Sequence, residues 1–202
     1  MKFEIIKLES VTSTNDVAIK LIREKNKDSG CIYADLQTKG RGTYGKKWVS
    51  KKGNLFMSLF FPLEENHPTF DEFSIINPII ILDVIKKFCE EKKLRLKFPN
   101  DILFNGKKIC GLLQEIITEE SRKYLIIGIG LNILSNPNIN NGYKATNIYF
   151  ETKKKTSITR IIDLIISSYE HFITNLDSYN YEYFKNKAEK LSVKQIWVWK
   201  IL

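Results

Sequence analysis

Residues 37–53 place four of the chain's ten glycines among six Lys/Arg residues without a single acid. Apolar runs bracket this segment, Cys31 to Leu36 before it and Leu55 to Phe61 after it. A stretch so rich in cation and glycine has nothing to bury, while its flanks have little else. The pattern therefore predicts two buried strands joined by an exposed loop. Glycine lets a backbone turn several N–H groups toward one anion, and Arg41 and Lys46 add charge that amides lack. The acid-free region extends from Leu36 to Leu63. Composition alone does not separate a lysine-rich surface loop from an anion-holding one.

A second segment runs Lys97-Phe98-Pro99-Asn100-Asp101-Ile102 and then Asn105-Gly106-Lys107-Lys108-Ile109-Cys110-Gly111-Leu112-Leu113-Gln114-Glu115. It reads as strand, hairpin and strand, with Asn105-Gly106 as a two-residue primed turn. Pro99 halts the run from Leu94 to Phe98, so Asn100 and Asp101 fall at a strand end. Lys108 opens the return strand. Taken singly, Asp101 ties down a turn and Lys108 is a solvated lysine.

The remaining pattern alternates strands and helices. Phe3 to Glu9 and Tyr124 to Leu134 read as strands, with Asn132 interrupting the second one's apolar end. Thr14 to Lys25 is predicted helical, with Val17, Ala18, Leu21 and Ile22 on one face and Ser13 or Thr14 as its cap. Further helices are expected over Phe73 to Lys93, limited or kinked by Pro78, and over Ser157 to Phe172 and Tyr179 to Leu191. Ser135 to Tyr143 reads as a loop, followed by Ala145-Thr146-Asn147-Ile148. The sum is an α+β domain built on a mixed sheet with helices on one face.

At 202 residues and 43% hydrophobic the chain can bury a core, which excludes disorder. Its 32 Lys/Arg against 23 Asp/Glu give +9, as a nucleic-acid binder would have, but Lys outnumbers Arg 27 to 5 and so looks like a base-composition bias. Arg41, one of those five, stands inside the anion loop. Three widely spaced cysteines, Cys31, Cys89 and Cys110, indicate neither a disulfide framework nor a metal cluster, and Cys110 reads as a buried structural thiol. Without an apolar span or a signal-like start, a cytoplasmic protein is expected.

Together the two segments resemble the catalytic core of the biotin protein ligases. These enzymes form biotinyl-adenylate and pass the biotin to a carboxylase lysine. The family's glycine-arginine motif stands here as Gln37, Gly40-Arg41-Gly42-Thr43, Gly45-Lys46 and Trp48, and its Lys-Trp-Pro-Asn-Asp as Lys97-Phe98-Pro99-Asn100-Asp101. Ser13-Thr14-Asn15 and Gly128-Ile129-Gly130-Leu131-Asn132 match two further elements in order and spacing.

The resemblance implies roles for these positions. Lys108, Arg41 and Asp101 would be catalytic. Ser13, Thr14, Asn15, Gln37, Arg41, Gly42, Thr43, Lys108 and Gly111 would hold biotin. Arg41, Lys46, Trp48, Lys97, Asn100, Asn132 and Ala145 would hold ATP, with Asp101 a candidate for Mg²⁺. Two positions depart from the pattern: Thr43 stands where many members carry Arg, and Phe98 replaces Trp. The implied partner is a biotin carboxyl carrier domain, with no DNA and no membrane; monomer and homodimer stay open. Residues 1–190 would form the catalytic domain and 191–202 a remnant of the family's small β-barrel, whose Gln195 to Leu202 reads as one strand. With twelve residues before Ser13, no DNA-binding helix-turn-helix is expected. Alternatives are a lipoate or octanoate ligase or transferase of the same fold, for which no Arg-Arg-x-x-Gly-Gly-Gly motif is present, and a non-catalytic biotin-binding or nucleic-acid-binding protein.

Overall fold

The computed structural model describes residues 1–137 and 144–193. Its seven strands are β1 (Ile5–Val11), β2 (Gly30–Gln37), β3 (Leu55–Pro62), β4 (Leu94–Lys97), β5 (Asp101–Phe104), β6 (Lys107–Glu119) and β7 (Arg122–Leu131). They form one sheet in the order β1-β2-β3-β7-β6-β5-β4. Only the β1–β2 pair is parallel. A parallel pair needs a crossover, and helix α1 (Thr14–Lys25) supplies it.

Side chains alternate between faces along a strand, and this period of two separates core from site. Leu55, Met57, Leu59 and Phe61 of β3, with Leu125, Ile127, Ile129 and Leu131 of β7, join one large core. That core is roofed by helices α2 (Phe70–Ile85), α4 (Ile158–Thr174) and α5 (Tyr181–Leu191). Fully burying each such side chain contributes on the order of 1.5–3 kcal/mol. Edge-on aromatic contacts link Phe61 to Phe73 and Phe73 to Phe172 at centroid distances of 5.9 and 6.2 Å. The intervening positions face the other way, where Phe60 and Ile126 pack under Ala18 and Ile22 of α1. The mixed sheet is thus present as expected, with three helices on one face and the crossover α1 on the other. All eight residues of β3 are buried, as a strand covered on both sides requires.

Several element ends differ from expectation for local reasons. Helix α2 begins three residues earlier than the apolar pattern does because Thr69 and Glu72 form a reciprocal capping box. It ends at Ile85, and Glu91–Lys93 form a separate short turn. Pro78 lies inside the helix, not at its start. Asp101 opens β5 instead of closing a strand: β4 and β5 are themselves a hairpin, with Lys97 opposite Asp101 and Phe98-Pro99-Asn100 as its turn. Asn105 (φ 49°) and Gly106 (φ 74°) make the primed turn into β6. A short helix, α3 (Ile148–Thr152), was not expected; the Asn147 side chain starts it by accepting from Phe150 N at 2.7 Å. The expected strand over Gln195 to Leu202, and residues 138–143 of the expected loop, lie outside the described residues.

A buried polar chain fixes the helical roof to β6. Tyr169 Oη donates to Asn77 Oδ1 (2.9 Å), Asn77 Nδ2 to Gln114 Oε1 (2.7 Å), and Gln114 Nε2 to the Phe70 carbonyl (2.6 Å). Gln114 faces the core, so its neighbours Leu113 and Glu115 face the α1 side.

Candidate active site

On the α1 side, past the end of the helix, the sheet is covered by the glycine-rich loop instead of a helix. Between loop and sheet lies a cavity of about 630 Å³. Cross-strand register explains why room is left there. Gly111, Gly130 and Phe56 form one row across β6, β7 and β3, and Leu113, Gly128 and Ser58 form the next. Three of these six positions are glycine, and a fourth, Ser58, carries only a hydroxymethyl group. A Cβ on Gly128 would approach Asn15 Cγ to 3.1 Å, and one on Gly111 would meet the Trp48 ring at 2.7 Å. Every site residue named from the sequence lines this cavity.

The inner end is polar but uncharged. Ser13, Thr14 and Asn15 at the start of α1 are buried, as is Ser58. Ser58 Oγ lies 2.7 Å from Thr14 Oγ1 and 2.5 Å from Asn15 Oδ1. Thr14 donates its backbone N–H to Gln37 Oε1 (2.9 Å), and Gln37 Nε2 donates to Ser50 Oγ (3.2 Å). Ser13 takes the N-cap position but makes no side-chain cap bond. The expected cap is therefore not formed, and the first amides of α1 are served by Gln37 from the neighbouring strand.

The loop is pinned across its neck, where Trp48 N donates to Gly40 O (2.9 Å) and Gly42 N to Lys46 O (2.7 Å). A Cβ on Gly40 would lie 2.6 Å from Trp48 O, so the neck closes only with glycine. Arg41 was expected to face an anion, yet its guanidinium is already engaged. Nη1 and Nη2 donate to the two Glu115 oxygens at 2.7 and 2.8 Å, and Nη2 lies 2.8 Å from Asp16 Oδ1. The hydrogen bond to Glu115 raises its pKa further. Its Nε–H is buried and has no partner. Trp48 lies over Gly111 and Gly130, and its indole N–H is likewise buried without a partner. Thr43 accepts from Asn100 Nδ2 (3.2 Å), which ties the loop to the β4–β5 turn. Lys46 is exposed at the rim.

Lys108 sits 2.5 Å from Asp101 and 5.2 Å from the centre of the Trp48 ring. Its backbone is held on both sides: Lys108 N donates to Lys144 O and Thr146 N donates to Lys108 O, each at 2.9 Å. Ala145 is thereby placed on the cavity wall. Asn132 was expected to point into the site; it is buried, and its side-chain nitrogen donates to Thr146 O (3.1 Å), so its first task is holding the 145–147 segment. Among the described residues no group of three or more His, Cys, Asp or Glu is placed to hold a metal ion. Cys110 faces the core, fully buried, with its thiol pushed up by burial.

Glu115, Asp16 and Ser58 were not singled out from the sequence. Glu115 was legible: Gly111, Leu113 and Glu115 share one face of β6 by period two, so a site at Gly111 implies a carboxylate four residues on. Asp16 and Ser58 carry no such signal.

A model of the biotin/lipoate A/B protein ligase family matches residues 8–132. The chain belongs to that family. Within it, the bifunctional ligase/repressor BirA of Escherichia coli is 33% identical over 128 residues, which are 62% of this chain and 39% of that protein. This biotin/lipoate ligase family member thus spans about two fifths of the length of the bifunctional relatives it matches. The Leishmania major biotin protein ligase, solved in complex with biotinyl-5-AMP, superposes with a TM-score of 0.78 at 28% identity over 94% of this chain and 81% of that one. The Aquifex aeolicus biotin protein ligase, solved with biotin and ATP, gives 0.78 at 26% identity over 94% and 78%.

Proposed function

We propose that this protein activates biotin with ATP as biotinyl-5′-AMP and passes the biotin to a lysine of a biotin carboxyl carrier domain. The observation that carries this reading is one cavity with two unlike ends. A polar pocket of Ser13, Thr14, Asn15 and Gln37, whose own side chains carry no charge and which Ser58 backs, opens along a glycine floor onto Lys108 and the glycine-rich loop. An uncharged ureido ring suits the first end and an acyl phosphate the second. The buried, unpartnered N–H groups of Arg41 and Trp48 add weight, since buried donors in native proteins are nearly always satisfied and here a ligand would satisfy them. The named relatives and the two liganded neighbours make biotin the favoured acid over lipoate or octanoate.

On this reading a biotin carboxylate oxygen attacks the α-phosphorus of ATP. The new P–O bond forms as the bond to pyrophosphate breaks, and negative charge grows on the phosphoryl oxygens and the leaving group. Lys108 faces the carboxylate and those oxygens, while Arg41 Nε–H, Lys46 and the amides around Gly40 to Gly45 receive the phosphates. Lys97, Asn100, Asn132, Ala145 and the Trp48 ring surround the nucleotide. Ser13, Gly42, Thr43 and Gly111 complete the wall around the acid. Asp101 keeps Lys108 oriented until substrate arrives. In the second step the acceptor amine attacks the acyl carbon, loses its proton, and AMP departs. Asp101, the carboxylate on the described cavity wall, would help hold Mg²⁺ carried in on the phosphates; bound there, the ion would offset phosphate charge. Loop closure over the anhydride keeps water out. Residues 1–190 act as the catalytic unit, in the cytosol, as monomer or homodimer.

Native mass spectrometry after mixing the protein with biotin, ATP and Mg²⁺ tests this directly. A retained species of protein plus biotinyl-AMP is expected; biotin bound without any adenylate in the presence of ATP would leave a binding protein in its place.

A further inference from the structure

We propose that Glu115 is the positioning residue of this site, the carboxylate that sets Arg41 and Asn15 together and so makes the anion end and the uncharged end of the cavity one unit. The inference rests on the adenylation reading above and adds a residue that reading does not use. Three donors converge on this side chain. Oε1 accepts from Arg41 Nη1 at 2.7 Å, and Oε2 accepts from Arg41 Nη2 at 2.8 Å and from Asn15 Nδ2 at 2.6 Å. Asp16 offers Arg41 one further oxygen from a more exposed position, 43% accessible against 25% for Glu115.

The geometry assigns the work on each side. With both terminal nitrogens held by Glu115, the guanidinium plane is fixed, and the buried Nε–H, which has no partner, is held in place for a ligand anion. Asn15 in turn receives Ser58, whose hydroxyl also reaches Thr14, which donates to Gln37 and through it to Ser50. The chain therefore runs from one side of the glycine-rich loop, through the start of α1, to the other side. Filling the uncharged pocket stiffens Asn15, and Glu115 relays that to Arg41.

Only a carboxylate can do this. Glutamine has the same length but one acceptor, and its NH₂ would be turned toward the donors of Arg41 or Asn15. Aspartate keeps both acceptors and the charge but is one methylene short.

The test is a double-mutant cycle on acid-dependent exchange of pyrophosphate into ATP. Glu115→Gln is expected to lower kcat by about a hundredfold with a smaller change in KM for the acid, because misplacement of a reacting-site group acts on the barrier. Glu115→Asp should recover part of that loss. In an Arg41→Ala background Glu115→Gln should cost clearly less, about tenfold at most, since its Arg41 contacts are already broken and only the Asn15 contact is left to lose. Equal losses in both backgrounds, matched by a lowered Tm, would assign Glu115 a merely structural role and overturn the proposal. Hydrogen exchange of residues 38–53 in the ligand-free protein reads the same claim without chemistry. Faster exchange in Glu115→Gln at unchanged Tm supports it, and unchanged exchange overturns it, whether or not the protein adenylates biotin.

Discussion

At the scale of single residues, Lys108 bears the largest demand. It is the cation of the cavity anchored on both backbone sides, and its partner Asp101 is buried. Lys108→Ala removes charge stabilisation from the adenylation barrier and also takes a cation away from the buried Asp101. Acid-dependent exchange should fall by about a thousandfold or more, with a lower Tm. Lys108→Arg separates the two effects: it keeps Asp101 paired and the protein near its original Tm, yet its planar fork carries the charge in a different place, so exchange should stay low. Near-native exchange in Lys108→Ala would remove Lys108 from the mechanism, and near-native exchange in Lys108→Arg would show that the charge matters and its exact place does not. Arg41 shows the limit of reading charges from composition. Its position in the loop was legible, but two carboxylates brought in from α1 and β6 occupy three of its five N–H donors, and the buried Nε–H is without a partner.

At the scale of elements, β7 decides where the site can be. Its outward positions near the loop are Gly128 and Gly130, and both would collide with site residues if they carried a methyl group, Gly128 with Asn15 and Gly130 with the Trp48 ring, 2.8 Å from its Nε1. Gly128→Ala should therefore weaken binding of the acid, and Gly130→Ala should weaken binding of the nucleotide. Isothermal titration with each ligand distinguishes them; equal effects on both ligands would contradict the division of the cavity. Elements with strong periodicity were readable without a structure, α1 to the residue and β3, β6 and β7 closely. What escaped depends on contacts far along the chain. The capping box that starts α2 was present as Thr69 and Glu72, but the role of Asn147 in starting α3 and the sheet face taken by α1 follow from packing that no local pattern records.

At the scale of the whole molecule, the motifs from residue 13 to residue 132 and the wall of one cavity coincide, because strands adjacent in the sheet bring β2, β3, β6 and β7 together around the loop. The thiols lie outside this plan. Burial pushes Cys31 and Cys89 up to about 12 from an ordinary 9.0, and Cys110 higher still. Between those values the unfolded chain has shed protons that the folded one keeps, so the unfolded state binds fewer of them. Stability from this source is intact below about pH 9 and is lost as pH rises toward 12. Thermal melts should show that decline, shallower in Cys31→Ala, and thiol alkylation at neutral pH should be slow; rapid labelling of Cys110 would contradict its burial. No described helix is long and apolar enough to cross a membrane. The account stands on one claim, that this cavity joins the biotin carboxylate to AMP. Exchange of labelled pyrophosphate into ATP, measured with biotin, lipoate and octanoate supplied separately, addresses it without any acceptor protein. Exchange with biotin alone is the predicted result, and exchange with lipoate or octanoate in its place, or with none of the three, would contradict it.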